Sequence, residues 1–296
     1  MTSSSSGSFP NSFCGSSDAH PALQPYPAVV NIEGISVTGF PNPQSLFKRI
    51  AQDTKAPGQT LVHYLNIHVA NAAWMNPALK RCLQTSDLVY CDGAGIVVGA
   101  KWLGQTLPTR LTAADWFPDM LSALAEEHCS VYLLGGEPGV PEAAMSKLNQ
   151  MVPHHSVIEA HHGFILKDPQ LENAVIARIN ACQPDILIVG FGTPLQEQWI
   201  AQNRHRLKVS TIYAIGAVMD FMSGKVSRCP RWMGDAGLEW LYRLGTEPKR
   251  LLGRYVVGNP WFLSRILLQA ALQKIMHRSP SGITTQKPAS PVNLNP

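Results

Sequence analysis

The chain has 296 residues, of which 45% are apolar and 15% are charged, and these proportions predict a packed globular protein. No stretch approaches the about 18 uninterrupted apolar residues that a membrane-spanning helix needs. The formal net charge of +4 is too low to call for a nucleic-acid partner. Six scattered cysteines without Cys-x-x-Cys spacing argue for reduced thiols in the cytoplasm, and against a zinc ribbon or a disulfide scaffold.

Both ends of the chain differ in composition from the middle. Residues 1–27 and 279–296 are rich in Ser, Gly and Pro, and we expect both tails to be disordered because they have little apolar surface to bury. The first residues also lack the basic and apolar segments of a secretory signal. We therefore expect the folded part to span residues 28–278.

In chain order, short apolar runs alternate with longer helical patterns after Leu61. The predicted strands are Leu61–Ile67, Asp87–Tyr90, Ser130–Leu134, Ser156–Glu159, Asp185–Val189 and Ser210–Ile215. The predicted helices span 76–85, 95–103, 112–127, 140–151, 169–181 and 194–207. Repeated strand–helix units predict a Rossmann-like α/β fold over 28–224, with a mostly parallel sheet and helices on both faces. Ligands bind such sheets at the carboxyl ends of the strands.

Residues 225–278 form a basic C-terminal segment, predicted to be a helical appendage. The helical runs of residues 217–278 are expected to be interrupted at Gly224, Pro230, Pro248 and Asn259-Pro260. The segment carries ten Lys or Arg and three acidic side chains, a net charge of +7, whereas residues 1–224 carry −4. This asymmetry points to a polyanionic partner, which could be a phosphate, an anionic membrane surface or nucleic acid.

Asp92 follows a predicted buried strand and stands in the turn Asp92-Gly93-Ala94-Gly95. An acid at the ligand-binding edge of the sheet is a candidate general base. The alternative is that Asp92 only caps the following helix, and the segment alone does not decide between the two.

Two further turns combine glycines with the start of a helix. Gly135 and Gly136 precede one helix, where backbone N–H groups favour a phosphate. Gly190-Phe191-Gly192 precedes another, but Leu195 replaces the third glycine of a dinucleotide fingerprint. The sequence therefore disfavours a nicotinamide-dependent oxidoreductase, which stays the alternative enzyme class.

No metal site is predicted. The pairs His154-His155 and His161-His162 are adjacent in sequence and point in different directions, and the chain contains no Asp-x-Asp. A Gly-x-Ser-x-Gly nucleophile motif is missing as well.

Arginines in the basic segment are spaced for one helical face. Arg243, Arg250 and Arg254 are separated by seven and four residues, and share a face if Pro248 only bends the helix. Trp261 and Phe262 follow, before the apolar run 266–268, and would anchor such a face at a membrane. A noncatalytic adaptor on a membrane surface is therefore a second alternative.

The order of the motifs resembles the WecG/TagA/CpsF family of bacterial glycosyltransferases, also called glycosyltransferase family 26, from about Asn31 to Leu263. The blocks are Asp92-Gly93-x-Gly95, Leu134-Gly135-Gly136, His161-His162-Gly163-Phe164, Gly192-x-Pro194-x-Gln196-Glu197-x-Trp199, Asp220-x-x-x-Gly224-Lys225-Val226-x-Arg228-x-Pro230, Gly237-Leu238-Glu239-Trp240-Leu241-Tyr242-Arg243 and Glu247-Pro248-x-Arg250.

The resemblance implies inverting, metal-independent transfer of a sugar from a UDP-sugar to an undecaprenyl-diphosphate-linked saccharide, without a cofactor, at the inner membrane. It implies Asp92 as the base, and it places Asn66, Arg110, Gln196, Arg243, Arg250 and Arg254 at the phosphates or the acceptor. The remaining predicted substrate-binding residues are Gly93, Gly95, Gly135, Gly136, Gly192, Glu197, Asp220 and Arg228.

Two turns depart from the family pattern. Tyr64-Leu65-Asn66 stands where many relatives have Thr-Pro-Asn, and Arg110-Leu111-Thr112-Ala113-Ala114-Asp115 where they have Arg-Val-x-Gly-x-Asp. The donor sugar is therefore left open between glucose, N-acetylmannosamine and N-acetylmannosaminuronate, as is assembly into a homo-oligomer.

Overall fold

The computed structural model of the chain describes residues 28–152, 156–235 and 238–278. Both tails for which disorder is predicted, and the pair His154-His155, lie outside these ranges.

A single eight-stranded sheet organises the fold, with strand order β1-β2-β4-β3-β8-β7-β5-β6. The first two strands are antiparallel and all other neighbours are parallel. All six predicted strands are present. The strands are β1 (Ala28–Ile32), β2 (Ile35–Gly39), β3 (Thr60–Leu65), β4 (Leu88–Cys91), β5 (Val131–Gly135), β6 (Val157–His161), β7 (Ile186–Gly190) and β8 (Thr211–Ala214).

Helices cover both faces of the sheet, as predicted for an α/β fold. One face packs against α1, α5, α6 and α9, and the other against α2, α3, α4, α7, α8 and α13. Their bounds are α1 (Pro43–Lys55), α2 (Ile67–Met75), α3 (Pro77–Gln84), α4 (Ala94–Trp102), α5 (Ala113–Glu126), α6 (Val140–Met151), α7 (Pro169–Cys182), α8 (Leu195–Asn203), α9 (Val218–Ser223), α10 (Arg231–Asp235), α11 (Glu239–Thr246), α12 (Pro248–Leu252) and α13 (Gly258–Arg278).

The central strands are buried on both sides, which explains their unbroken apolar sequences. In β5, Val131 and Leu133 belong to the core on one face, while Tyr132 and Leu134 belong to the core on the other. Period-2 alternation of side chains gives each face its own apolar layer.

The hairpin of β1 and β2 was not predicted. Glu33 and Gly34 form its two-residue turn with positive φ values of 52° and 89°, as a tight hairpin turn of this kind requires. Alternate residues of both strands are buried, so the alternation between Ala28 and Gly39 was the sequence signal.

Of the boundaries that differ from the prediction, two concern Asn66 and Asn259-Pro260. The strand predicted to reach Ile67 ends at Leu65, because Asn66 caps α2 through its side chain. No break occurs at Asn259-Pro260, since the chain stays helical from Pro248 to Arg278. A π-helical turn, Gly253–Val257, immediately precedes α13.

Helix α13 packs on the body of the fold. Phe262 and Ile266 are fully buried against α2 and α4, and the Phe262 ring lies so close to Gly99 that an added Cβ would meet it at 3.3 Å. The C-terminal region thus shares a core with residues 28–224.

Candidate active site

A cavity of about 500 Å³ opens where four neighbouring strands, β4, β3, β8 and β7, end. The turns after these strands contribute Asp92, Asn66, Gly216 and Gly192 to its lining, and the C-terminal helices complete it. This is the edge at which open α/β sheets bind ligands. The predicted site residues in the lining are Asn66, Asp92, Gly93, Gly95, Arg110, Gly192, Arg228, Arg243 and Arg254.

Asp92 is held at the end of β4 by its neighbour on β3. Its backbone N–H donates to the carbonyl of Leu65 (2.9 Å), and the Asn66 Nδ2 donates to Asp92 Oδ2 (3.0 Å). The Asn66 Oδ1 in turn accepts from the Val69 N–H at the start of α2 (3.0 Å). Because the Asn66 oxygen is bound to the helix, its N–H₂ group is oriented towards the carboxylate.

The structure separates the two interpretations of Asp92. Gly93, with φ 100°, is the residue that caps α4, and no side chain accepts a hydrogen bond at that helix start. The Asp92 carboxylate is therefore directed to Asn66 and the cavity, and not to the helix.

Burial raises the pKa of Asp92, and the negative charge of Glu239 adds to the increase. The hydrogen bonds from Asn66 and Thr112, and the charge of Arg254, act in the opposite direction. A carboxylate with a raised pKa is a stronger proton acceptor, which is what a general base requires.

Two helices start at the cavity beside Asp92. The first residues of α2 and α4, Ile67 and Ala94, both belong to the lining. Their close approach depends on Gly95, where a Cβ would lie 2.2 Å from the Ile67 side chain. Helix N-termini carry partial positive charge, so this part of the cavity favours an anionic group.

Two of the lining arginines are engaged with the protein. Arg110 donates to Thr112 Oγ1 (2.9 Å) and to the carbonyl of Gly234. Arg228 forms ion pairs with Asp115 on α5 and with Glu239 on α11, the latter at 3.0 Å. Arg228 therefore fastens the C-terminal helices to the sheet domain beside the cavity.

Arg243 and Arg254 have the character of an anion-binding pair. The Arg243 Nε is buried and has no hydrogen-bond partner within the described part of the chain. Burial lowers the pKa of Arg254, and the charge of Arg243 contributes to the lowering, whereas Tyr255 acts against it. Two neighbouring guanidinium groups that are largely shielded from water repel each other. A bound phosphate or diphosphate would stabilise both through charge-assisted hydrogen bonds.

The model of the glycosyl transferase WecG/TagA/CpsF family matches residues 30–275. The chain belongs to this family.

The names of the curated relatives state a specific activity. The glycosyltransferase is 30% identical over 202 residues to the N-acetylglucosaminyldiphosphoundecaprenol N-acetyl-beta-D-mannosaminyltransferases of Staphylococcus aureus strains NCTC 8325 / PS 47, COL and N315. Each match covers 68% of this chain and 77% of the relative. The resemblance inferred from the motifs is confirmed at the level of the family.

The prediction that Arg243 shares one helical face with Arg250 and Arg254 is wrong. Helix α11 ends at Thr246, and Glu247 takes a non-helical backbone conformation with φ −133°. Arg243 and Arg254 therefore lie on separate elements and meet at the cavity through packing of those elements. Arg250 is on α12, and its side chain is outside the described part of the chain.

The glycosyltransferase does not bring every predicted residue to the cavity. Gly136 donates its N–H to the carbonyl of Gly190 (3.2 Å), and a Cβ on Gly135 would lie 2.4 Å from the same oxygen. These two glycines pack β5 against β7, and neither belongs to the cavity lining. Their proposed role as a phosphate cradle does not follow from this placement.

Gln196 and Glu197 lie behind the lining, where they hold it. Gln196 Oε1 accepts from the Gly216 N–H (3.2 Å), and Glu197 Oε1 accepts from Thr193 Oγ1 (2.9 Å). Both side chains are buried. Asp220 is also outside the lining, with its Oδ1 3.9 Å from Lys225 Nζ.

Several lining residues with polar side chains were missed as functional candidates, and three of them are close to predicted ones. Tyr64, Thr112 and Glu239 all face the cavity. Burial raises the pKa of Tyr64 to about 12, so its hydroxyl stays protonated. The sequence signal for Tyr64 was its position two residues before Asn66 on β3, and Glu239 lay within a recognised motif.

The described residues contain no cluster of three His, Cys, Asp or Glu side chains arranged to hold a metal. The rings of His161 and His162 are in contact, with 4.3 Å between centroids and a tilt of 45° between their planes. None of the helices in the described ranges is long and apolar enough to cross a bilayer.

Proposed function

We propose that this glycosyltransferase moves a hexose from a UDP-sugar to a saccharide linked to undecaprenyl diphosphate, with inversion and without a metal ion. The observation that carries the proposal is the pairing, in one cavity, of Asp92, a half-buried carboxylate of raised pKa, with the arginines Arg243 and Arg254. The activity named for the Staphylococcus aureus relatives is transfer of N-acetyl-beta-D-mannosamine to N-acetylglucosaminyldiphosphoundecaprenol.

Asp92 is the proposed general base. As the acceptor hydroxyl attacks the anomeric carbon, its proton passes to the Asp92 carboxylate and a new carbon–oxygen bond forms. The bond between that carbon and the UDP phosphate breaks, and its electron pair leaves with UDP. A single displacement of this type inverts the anomeric centre, and base catalysis contributes about 10²–10⁴ to its rate.

The departing diphosphate needs positive charge, which this chain can supply from its own groups. Arg243 offers a buried Nε without a partner, and the starts of α2 and α4 lie in the same cavity. Fixed donors in a site with little water stabilise developing charge strongly. This arrangement supports the proposal that no divalent cation is needed.

The candidate donor sugars are the three that the sequence analysis named. The names of the relatives favour N-acetylmannosamine as donor sugar and an N-acetylglucosaminyl acceptor. Tyr64 and Ala113 differ from the family pattern, and both line the cavity. Glucose and N-acetylmannosaminuronate therefore stay candidate donor sugars. The product would serve exopolysaccharide, capsule or another surface glycan.

We also propose that α13 brings the cavity to the inner-membrane surface. Phe262 cannot serve as an anchor, because it is fully buried in the core. The exposed apolar side chains of α13 can do so, since Leu267, Leu268, Leu272 and Ile275 are between 52% and 63% exposed. Burial of apolar side chains and attraction of nearby basic residues to anionic lipid would add together.

A panel of UDP-sugars with a short-chain lipid-diphosphate acceptor, followed by mass spectrometry, tests the function. We expect one donor to give a product heavier by one sugar, at an unchanged rate in EDTA. Strict dependence on magnesium or manganese would refute the metal-independent mechanism. Vesicle binding without transfer from any donor would favour the adaptor, and binding of a nicotinamide cofactor would favour the oxidoreductase.

A further inference from the structure

A second cavity of about 360 Å³ lies on the face of the sheet covered by α3 and α8, away from Asp92. None of its lining residues is shared with the first cavity. Apolar side chains, including Leu61 and Ile200, form part of its wall. Its size falls in the range of small-molecule sites, about 300–1,000 Å³.

His63 lines this cavity and carries a buried ring nitrogen without a partner among the described residues. The hydroxyl of Ser86 donates to the carbonyl of Cys82 (2.7 Å), so its oxygen must accept from His63 Nδ1 (3.0 Å). Nδ1 therefore carries the ring proton, and Nε2 has a free lone pair. That atom is buried and has no partner within the described part of the chain, and the residue is 2% exposed.

Glu197 lines the same cavity and carries a second buried acceptor. Its Oε1 accepts from Thr193 (2.9 Å) and from Gln196 (2.8 Å). Its Oε2 has no partner among the described residues, although the residue is only 2% exposed. Buried polar atoms normally have a partner, and two residues that line one cavity each carry an acceptor without one, which favours a ligand that donates hydrogen bonds.

Positive charge accompanies these acceptors. Arg81 of α3 and Arg204, directly after α8, both line the cavity, and the charge of Arg204 acts on the His63 ring. Guanidinium groups recognise phosphate. The cavity thus combines atoms that can accept hydrogen bonds from hydroxyl groups with guanidinium groups that can bind a phosphate.

We propose that this second cavity is a regulatory site for a small phosphorylated polyol, whose hydroxyls donate to His63 Nε2 and Glu197 Oε2 and whose phosphate binds Arg81 and Arg204. Glu197 connects it to the first cavity, because Thr193 belongs to the lining of that cavity and Gln196 holds the lining residue Gly216. A ligand on Oε2 changes the hydrogen bonding of Oε1, so its binding alters the affinity for the sugar nucleotide, and the coupling is reciprocal.

Isothermal titration of the full-length chain with glycerol 3-phosphate tests the site, without turnover. We expect binding that persists when UDP saturates the first cavity, with a Kd that UDP shifts. Arg81→Gln should weaken binding at least about tenfold, or ~1.4 kcal/mol. Ala201→Trp, at the cavity lining, should block it. Lys80→Gln, a neighbouring basic residue outside the cavity, should leave the Kd unchanged.

Three results would overturn the proposal. Binding that UDP abolishes would place the probe in the first cavity. Equal affinity of Arg81→Gln and wild type would remove the phosphate contact, and equal affinity for inorganic phosphate would remove the contribution of the hydroxyls. None of these outcomes bears on sugar transfer by Asp92, so the two proposals fail separately.

Discussion

Asn66 donates a hydrogen bond of 3.0 Å to the carboxylate of Asp92, joining the ends of two neighbouring parallel strands, β3 and β4. The same side chain caps α2 through its oxygen. One residue thus starts a helix and orients the proposed base. Since a donated hydrogen bond favours the charged carboxylate, Asn66 restrains a pKa that burial has raised.

Asn66→Ser is the first prediction. Serine preserves the helix cap but is too short to donate to Asp92, so the pKa of Asp92 should rise further. Loss of a charge-assisted bond of about 1.5 kcal/mol corresponds to roughly one pH unit. The acidic limb of the kcat/KM profile should move to higher pH by that amount. Asn42→Ser, at the cap of α1, is the matched control and should leave the profile in place; an unmoved limb in Asn66→Ser would contradict the role of Asn66.

Glu239→Gln should move the same limb in the opposite direction. The negative charge of Glu239 contributes to the raised pKa of Asp92, so its removal lowers that pKa and extends activity to more acidic pH. Asp115→Asn is the matched control, because Asp115 shares Arg228 with Glu239 but is not among the main causes of the raised pKa of Asp92. If both variants shift the profile equally, the effect runs through Arg228 and not through the charge beside Asp92.

Phe262→Ala and Leu268→Ser should separate packing from membrane attachment on α13. Phe262 is fully buried, so its truncation should cost about 3–5 kcal/mol of unfolding free energy in urea titrations. Leu268 is 61% exposed, so Leu268→Ser should change stability by no more than about 0.5 kcal/mol. It should nevertheless reduce co-sedimentation with anionic vesicles. Unaltered co-sedimentation of Leu268→Ser would argue against α13 as the attachment.

His63 should make the fold sensitive to acid. Burial lowers its pKa from 6.5 to about 4, with a contribution from the charge of Arg204. In the unfolded chain, His63 is therefore protonated below about pH 6.5, whereas in the folded chain it is protonated only below about pH 4. Stability should be lost in this window by up to roughly 1.4 kcal/mol per pH unit.

Urea titrations at pH 7, 6 and 5 check this prediction. His63→Gln removes the titrating ring, so the variant should lose less stability than wild type as the pH falls. Parallel loss in both proteins would show that other groups carry the acid sensitivity.

Much of the parallel sheet could be predicted from the sequence, because strands covered on both faces have unbroken apolar runs. The hairpin of β1 and β2 was missed since its strands alternate, with Val30 and Ile32 buried between more exposed residues. The position of Asp92 beside a predicted strand was sufficient to place it at the cavity.

Tertiary packing decided what the sequence could not. Helical spacing suggested one face for Arg243 and Arg254, but a break at Glu247 separates their helices and packing brings them together. Local pattern also marked Phe262 as an anchor, whereas its burial depends on Gly99 of a distant helix. Glu239 gains its effect on Asp92 from the same long-range folding of the C-terminal helices.

The rate of sugar transfer by Asp92→Asn, measured with the donor that the panel selects, tests the central claim most directly. Asparagine preserves the shape of the side chain but cannot accept the proton, so we expect the rate to fall by about 10²–10⁴ while the Kd for UDP changes little. Transfer at the wild-type rate would contradict Asp92 as the general base.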